Sequence, residues 1–250
     1  MPDVRGHFLP ELVCSDDLAG RVAVVVDVLR ATTTIVAALA AGARAVVPCL
    51  TIDEARRVAS ALPPGTALLG GERGGLAIEG FDLGNSPAEY TSQAVTGKTI
   101  VLTTTNGTKA LVRCRGASQV VLAAFVNFSG VCEYLLRIER PTLIDIVCAG
   151  TDSHQTQEDV LLAGALAGRL ADAAGWQLDD GAAMARAAWS AVSRGDDDEL
   201  PSRVIATLRD SRGGRNLIAI GMDRDIETAA EIDRFNIVPR FDPSTGAVTI

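Results

Sequence analysis

Val22-Ala-Val-Val-Val-Asp27-Val-Leu-Arg30-Ala-Thr-Thr-Thr34 is the stretch whose reading decides the fold. Five consecutive apolar residues, four of them Val, end at Asp27. A continuous β-branched run suits a strand buried on both faces, as in a parallel sheet. A helical pattern follows over Ile35 to Ala41 and stops at Gly42. The first amides of a helix are unpaired and carry partial positive charge, so a strand-to-helix turn is a ready anion site. Arg30 adds a guanidinium that grips phosphate or carboxylate bidentately, the threonines add hydroxyls, and Asp27 offers oxygen to a metal ion. The same residues also have a purely structural reading, because Asp ahead of Ser or Thr at such a turn often serves only as a helix cap.

Working outward, the pattern recurs. Ile100-Val-Leu runs into Thr103-Thr-Thr-Asn-Gly-Thr108, a helix is expected over Lys109 to Val112, Gly116 stops it, and Gln119 to Leu122 is the next strand. Both segments read as strand, threonine loop, short helix, Gly-Ala, strand, either as a duplication or as two βαβ units obeying the same rules. Between them, Ala45 to Pro48 reads as a strand. Asp53 to Leu62 reads as a helix with Thr51 as N-cap and Glu54 as its capping-box partner, and Ala67 to Leu69 as a strand entering the loop Gly70-Gly-Glu72-Arg73-Gly-Gly75. A third unit runs Leu143 to Thr151 and leads into a helix from about Gln157 to Ala173 that opens with Glu158-Asp159. Acids in a first turn suit the helix dipole, and they equally suit metal ligands facing the strand ends. Helices follow over Ala182 to Val192 and Ser202 to Leu208, with Ser211 to Asn216 as a basic glycine loop. Asp223 to Ile232 is expected as an amphipathic surface helix, and Asp242-Pro-Ser-Thr-Gly246 as a hairpin turn. Residues 1 to 20 read as a short strand or loop. The alternation predicts an α/β protein with three layers, α/β/α, and a largely parallel sheet with a short antiparallel C-terminal addition, as a single domain over residues 1–250.

Composition narrows the function. Hydrophobic residues make up 48% and charged residues 22%, enough for a sizeable core. A net charge of −8 argues against a nucleic-acid groove or an anionic membrane surface, and 4% aromatics leave little for base stacking. The five cysteines are scattered without a C-x-x-C pair, which fits free thiols in a reducing compartment. No apolar leader and no uncharged apolar run of about 18 residues is present, so a cytoplasmic protein is expected. No Walker motif occurs and no G-x-G-x-x-G follows an early strand. A Cys-x5-Arg phosphatase would need Arg where His154 stands, and a D-x-D phosphatase would need Asp at Leu29. Of the two histidines, His7 reads as a surface residue and His154 as a solvated one.

In a parallel sheet the strand-end loops converge, bringing Asp27, Arg30, Glu72, Arg73, Thr104, Thr105, Asn106, Cys148, Thr151, Glu158 and Asp159 to one edge. Acids, arginines, hydroxyls and glycine amides together suit a small anionic phosphate ester held with a divalent metal.

Six segments in order resemble the 2-phosphosulfolactate phosphatase family: Asp27-Val-Leu-Arg-Ala-Thr-Thr-Thr34, Gly70-Gly-Glu-Arg73, Gly80-Phe-Asp-Leu-Gly-Asn-Ser-Pro87, Leu102-Thr-Thr-Thr-Asn-Gly-Thr108, Val147-Cys-Ala-Gly-Thr151 and Glu158-Asp159. The resemblance covers roughly residues 20 to 240. It implies a Mg²⁺-dependent phosphatase that converts (2R)-2-phospho-3-sulfolactate to sulfolactate and phosphate, a step towards coenzyme M, with tolerance for other 2-hydroxy-acid phosphates. At the positions that the resemblance locates, Asp27, Glu72, Cys148 and Glu158 are taken as catalytic candidates, with Cys148 equally readable as a small buried residue, and Asp27, Glu158 and Asp159 as Mg²⁺ ligands. Arg30, Thr33, Arg73, Thr104, Thr105, Asn106 and Gly107 become substrate binders. The chain departs from the family pattern at Asp152 to Gln157, where a glycine and an aromatic are usual, and at Gly213-Gly214, where a His-Gly pair is usual. A phosphatase of altered specificity and a non-catalytic anion-binding relative are the rival readings. A homo-oligomer is compatible with the alanine-rich helices.

Overall fold

The computed structural model describes residues 3–139 and 143–250; Met1, Pro2 and residues 140–142 of the expected domain lie outside them. The strands are β1 (Val4–His7), β2 (Val22–Val26), β3 (Ala45–Pro48), β4 (Ala67–Arg73), β5 (Leu76–Ala77), β6 (Thr99–Thr103), β7 (Gln119–Ala123), β8 (Ile144–Cys148), β9 (Arg240–Asp242) and β10 (Ala247–Thr249). The helices are α1 (Ala31–Ala40), α2 (Ile52–Ala61), α3 (Ser92–Val95), α4 (Gly107–Arg113), α5 (Phe128–Leu136), α6 (Gln157–Ala174), α7 (Asp180–Ser193), α8 (Leu200–Asp210), α9 (Arg212–Ala219) and α10 (Arg224–Ala229). The expected α/β class holds. None of these helices is long and apolar enough to cross a membrane.

All ten strands form one sheet in the order β1-β8-β2-β7-β9-β10-β3-β6-β4-β5. On one side of the β9–β10 hairpin, β1, β8, β2 and β7 are mutually parallel; on the other, β3, β6 and β4 are. The hairpin pairs antiparallel with β7 and with β3, so the two parallel blocks run in opposite directions. The antiparallel pair is therefore C-terminal in the chain but central in the sheet. The repeat seen in the sequence takes a form that simple βαβ units do not. After β2 and α1 the chain passes to β3 in the other block, and after β6 and α4 it returns to β7, so β2 pairs with β7 and β3 with β6. Outward from the hairpin, β7-β2-β8 on one side mirrors β3-β6-β4 on the other. Strand twist of roughly 20° per step accumulates to about 100° over the five steps from β2 to β6, so the two blocks do not share a plane.

The core explains the valine run. Val22, Val24 and Val26 of β2 face a cluster with Leu161, Leu162 and Leu166 of α6, whereas Ala23 and Val25 face a second cluster with Ile35 and Leu39 of α1 and Leu111 of α4. Every residue of β2 is buried. Nine residues of α1, Ala31 through Leu39, are buried as well. A helix buried all round needs no polar face, which is why its sequence is almost wholly apolar apart from the threonines.

Those threonines are inside the helix and not in the loop ahead of it. Each hydroxyl satisfies a backbone carbonyl: Thr32 donates to Asp27, Thr33 to Val28 and Thr34 to Asn85, all at 2.8 Å. Residues 211–216 are likewise not a loop. Ser211 caps α9 by accepting the Gly214 N–H at 3.0 Å. A Cβ at Gly214 would stand 1.9 Å from the Leu208 carbonyl oxygen, so glycine is required there by the close approach of α8. The helix expected over Asp223 to Ile232 is shorter, and it buries Asp225, Ile226 and Ala229 instead of lying on the surface.

Candidate active site

The ends of β2 and β8 meet the ends of β6 and β4 around a cavity of about 310 Å³. Asp27, Leu29 and Arg30 line it from the β2–α1 loop, and Thr104, Thr105 and Asn106 from the β6–α4 loop. Glu72, Gly74 and Gly75 come from the β4–β5 turn, and Thr151 and Asp152 from the loop after β8. The remaining wall is α9, with Gly213, Asn216, Leu217, Ala219 and Ile220, together with Asn85.

Local hydrogen bonding sets each group. Asp27 Oδ1 accepts the Ala31 N–H at 3.1 Å, so this residue does cap α1, and Oδ2 is left uncommitted. The Leu29–Arg30 peptide is cis. Arg30 donates through Nη1 to Asp225 Oδ2 at 2.6 Å and through Nη2 to the Gly75 carbonyl at 2.7 Å. Glu72 uses both oxygens, accepting Thr105 N–H at 2.7 Å and Gly75 N–H at 2.8 Å. Asp159 also uses both, accepting Val28 N–H at 2.8 Å and Gly150 N–H at 2.9 Å, and so buckles the β2 loop to the β8 loop. Glu158 lies under Gly213, where a Cβ would stand 2.2 Å from Oε1. Its Oε2 is buried without a hydrogen-bond partner, as are Thr105 Oγ1, Thr156 Oγ1, Asn85 Oδ1 and Arg212 Nε. Buried polar groups in a folded chain are normally paired; here Thr105 and Asn85 belong to the cavity lining, whereas Arg21 Nη2, also unpaired, lies away from it beside Asp145.

The acids repel one another. Burial, reinforced by the charges of Glu72 and Glu158, pushes the Asp27 carboxyl up to about 7, against the pull of Arg30. Burial also raises Glu158, against the pull of the Ser211 and Thr156 hydroxyls and the Gly213 N–H at its carboxylate. Asp159 is pushed well above the carboxylate range by burial and by Glu158 and Asp27. Such a cluster is stabilised by any bound cation.

Among the residues expected at the site, Asp27, Arg30, Glu72, Thr104, Thr105 and Asn106 line the cavity. Gly107 stands directly behind, where a Cβ would approach Asp27 Oδ2 to 2.6 Å. Thr33, Arg73 and Cys148 are not brought to it. Thr33 is fully buried and bonded to Val28. Arg73 turns away to the Glu72 and Thr103 carbonyls and the Thr103 hydroxyl. Cys148 is fully buried in the apolar core, its thiol raised by burial. Among the described residues no group of three His, Cys, Asp or Glu side chains is arranged to hold a metal ion without further ligands; Asp27, Glu158 and Asp159 are nonetheless close enough to act on one another's charge. Sequence reasoning missed Asn85, which lay inside the quoted Gly80–Pro87 segment, and Asp225, for which no local signal exists.

Fold and site together define an α/β protein with an acid-lined cleft, supplied with amides, hydroxyls and one buried arginine, at the meeting point of opposed strand ends. The sequence pattern of the 2-phosphosulpholactate phosphatase family matches residues 7–243. Proteins named probable 2-phosphosulfolactate phosphatase are similar to this chain over most of its length. The Symbiobacterium thermophilum protein is 41% identical over 228 residues, covering 91% of this chain and 94% of its own. The Deinococcus radiodurans protein is 42% identical over 223 residues, covering 89% and 88%. The chain belongs to the 2-phosphosulfolactate phosphatase family, and that membership supports a phosphatase activity.

Proposed function

We propose that this chain is a Mg²⁺-dependent phosphoric monoester hydrolase that converts 2-phospho-3-sulfolactate to 3-sulfolactate and phosphate, the reaction its family serves in coenzyme M synthesis. Family membership supports the reaction class. The observation that supports the metal is the mutually repelling cluster of buried acids at the cavity, in which Asp27 lines the cavity with Oδ1 alone engaged by the Ala31 N–H and Glu158 lies beside it. Mg²⁺ is typically held by one or two carboxylates plus waters and substrate phosphate, not by a full protein cage. The residues present fit that pattern, with Asp27 and Glu158 as holders and Asp159 as the structural buckle. When bound, the ion would neutralise phosphoryl charge.

The chain's own residues do the rest. Arg30 and the unpaired Thr105 hydroxyl, both in the cavity lining, would receive phosphoryl oxygens. Glu72 fixes Thr105 and Gly75 so that both loops keep their shape around the ester. In hydrolysis the water oxygen bonds to phosphorus, the bond from phosphorus to the C2 oxygen breaks, and the departing oxygen takes a proton to become the 2-hydroxyl. Preorganised donors lower that barrier by meeting charge as it shifts.

A second reading is favoured by the α9 wall. Leu217, Ala219 and Ile220, with Leu29, make one side of the cavity apolar, and among the described residues Arg30 is the cation in the lining. That suits a phosphorylated 2-hydroxy acid whose third substituent is uncharged. Phosphate release from 2-phosphosulfolactate, 2-phospholactate and phosphoglycolate, each with Mg²⁺ and with EDTA, separates the readings. Release confined to Mg²⁺ and fastest on the sulfonate supports the first; faster release from phospholactate supports the second. No release from any of them, by folded protein, overturns both.

A further inference from the structure

We infer that Asp225, on α10, is a positioning residue that holds Arg30 with its free donors turned into the cavity. The inference rests on the reading of Arg30 as the anion-binding group of the site.

The two residues are 195 positions apart, and both side chains are almost completely buried, at 3% and 5% exposure. A guanidinium has five N–H donors in a rigid fork. Two of Arg30's are committed: Nη1 to Asp225 at 2.6 Å and Nη2 to the Gly75 carbonyl at 2.7 Å. The other three make no hydrogen bond among the described residues, and Arg30 lines the cavity.

What makes Asp225 more than a fastening is the competition around it. Arg30 is electrostatically coupled to Asp27, and Glu72 raises the same Asp27 carboxyl, so anionic partners are available on the cavity side. An arginine without a counter-charge behind it would turn to those acids, cancelling the donor field and occupying Asp27. Asp225 supplies the counter-charge from the far side. Its own orientation is set by Ser86, whose hydroxyl donates to Asp225 Oδ1 at 2.6 Å, leaving Oδ2 for Arg30. The chain Ser86–Asp225–Arg30–Gly75 thus ties the segment ahead of α3, the C-terminal helix α10, the β2 loop and the β4–β5 turn around one guanidinium. A buried, hydrogen-bonded carboxylate acting through another residue is the usual way a fork is preorganised.

The test is a double-mutant cycle of Arg30→Gln, Asp225→Asn and the double variant. It reads inorganic phosphate binding by calorimetry, with and without Mg²⁺, and kcat and KM on 2-phosphosulfolactate. Asp225→Asn is expected to weaken phosphate binding by roughly 10- to 100-fold and to raise KM more than it lowers kcat. In the Arg30→Gln background it should cost less than about threefold, because coupled residues are non-additive. Equal losses in both backgrounds, or a lowered melting temperature with unchanged phosphate binding, would overturn the inference in favour of a structural fastening. If Asp225→Asn does not fold, Ser86→Ala takes its place. That variant keeps the ion pair, and a loss of about threefold that vanishes in the Arg30→Gln background is expected. Wild-type protein that binds phosphate with this coupling but hydrolyses no ester refutes the proposed reaction and leaves the positioning role standing. Turnover that is insensitive to Asp225→Asn refutes the positioning role alone.

Discussion

The two threonine arms are alike in backbone and unlike in chemistry. In the first, the Thr32 hydroxyl donates to the Asp27 carbonyl at 2.8 Å; in the second, the Thr108 hydroxyl donates to the Thr104 carbonyl at 2.8 Å. Asp27 and Thr104 therefore hold the same place, just beyond β2 and β6. Arg30 and Asn106 stand at the N-caps of α1 and α4. One arm carries an acid and a cation, the other a hydroxyl and an amide. The first loop is also one residue longer, with three residues between Asp27 and Ala31 against two between Thr104 and Gly107. A shared frame with divergent side chains makes the arms natural controls for one another.

The largest contrast is in turnover. Asp27→Asn should lower kcat by about 10³-fold, in the range seen for losing a principal electrostatic group. Thr104→Val removes only a hydroxyl that accepts the Thr108 N–H at 3.2 Å. It should cost about 1 kcal/mol of stability and leave kcat within roughly tenfold. Steady-state phosphate release on both variants checks this; equal damage from the two would break the division of labour between the arms.

Much of this frame was legible in the sequence. The valine run, the threonine repeat and the Gly-Ala stops identified the paired arms because strand burial and helix termination are local properties. The exchange of strands between blocks was not legible, since β2 pairs with a strand far along the chain and the two blocks meet only through a hairpin more than 200 residues downstream of β2. Asp27, Arg30, Glu72 and the 104–106 loop line the cavity because the turns that carry them lie at adjoining strand ends, a placement that the strand-loop-helix pattern makes local. Thr33, Arg73 and Cys148 lie off the cavity because side-chain direction is decided by packing: Thr33 bonds inside its helix, Arg73 turns to Thr103, and Cys148 packs in the apolar core. Asp225 was invisible because its partner is contributed from the other end of the chain.

Titration sharpens the contrast next, because only the first arm ionises. Burial raises Asp27 from 3.8 to about 7 in the folded chain. A group that binds its proton more tightly when folded favours folding while both states hold that proton. Its contribution is therefore greatest below about 3.8, is lost as pH rises towards 7, and is flat above. Glu158 and Asp159 shift in the same direction. The melting temperature in EDTA should fall between pH 4 and 7, recover on adding Mg²⁺ at the upper end, and fall less in Asp27→Asn. Asp145 has the opposite sign and a different window. The Arg5, His7 and Arg21 side chains around it hold its carboxyl below 3.8, so its contribution is lost only as pH drops beneath that. Melting curves from pH 2.5 to 8 resolve both, and a flat profile above pH 4 would contradict the acid cluster.

A smaller effect is expected where the arms touch. The first helical residues of each, Ala31 and Gly107, meet so closely that a Cβ on Gly107 would lie 2.4 Å from Ala31 Cβ and 2.6 Å from Asp27 Oδ2. Two alanines do not fit, so one arm must carry glycine. Gly107→Ala should destabilise by about 1–3 kcal/mol, as for other overpacked sites, and denaturant unfolding measures it. Ala31→Gly in the same chain removes one of the two clashes, so recovering part of that loss would show that the contact between the arms is responsible.

The smallest effect lies at the cavity mouth, outside both arms. Arg212 Nη2 stands 3.7 Å from Asp152 Oδ2, with side chains 41% and 58% exposed. Exposed pairs of this kind are worth about 0–1 kcal/mol, so Arg212→Gln should barely move the melting temperature. Its consequence should be in selectivity. Arg212 is a cation beside the wall that Gly213 and Asn216 contribute, and its buried Nε has no partner. Losing it should raise KM for the sulfonate-bearing ester by a few-fold and leave 2-phospholactate unaffected. A parallel rise for both esters would mean that Arg212 acts only through the general field at the mouth. In that case discrimination between the esters would rest with the two arms and the apolar face of α9.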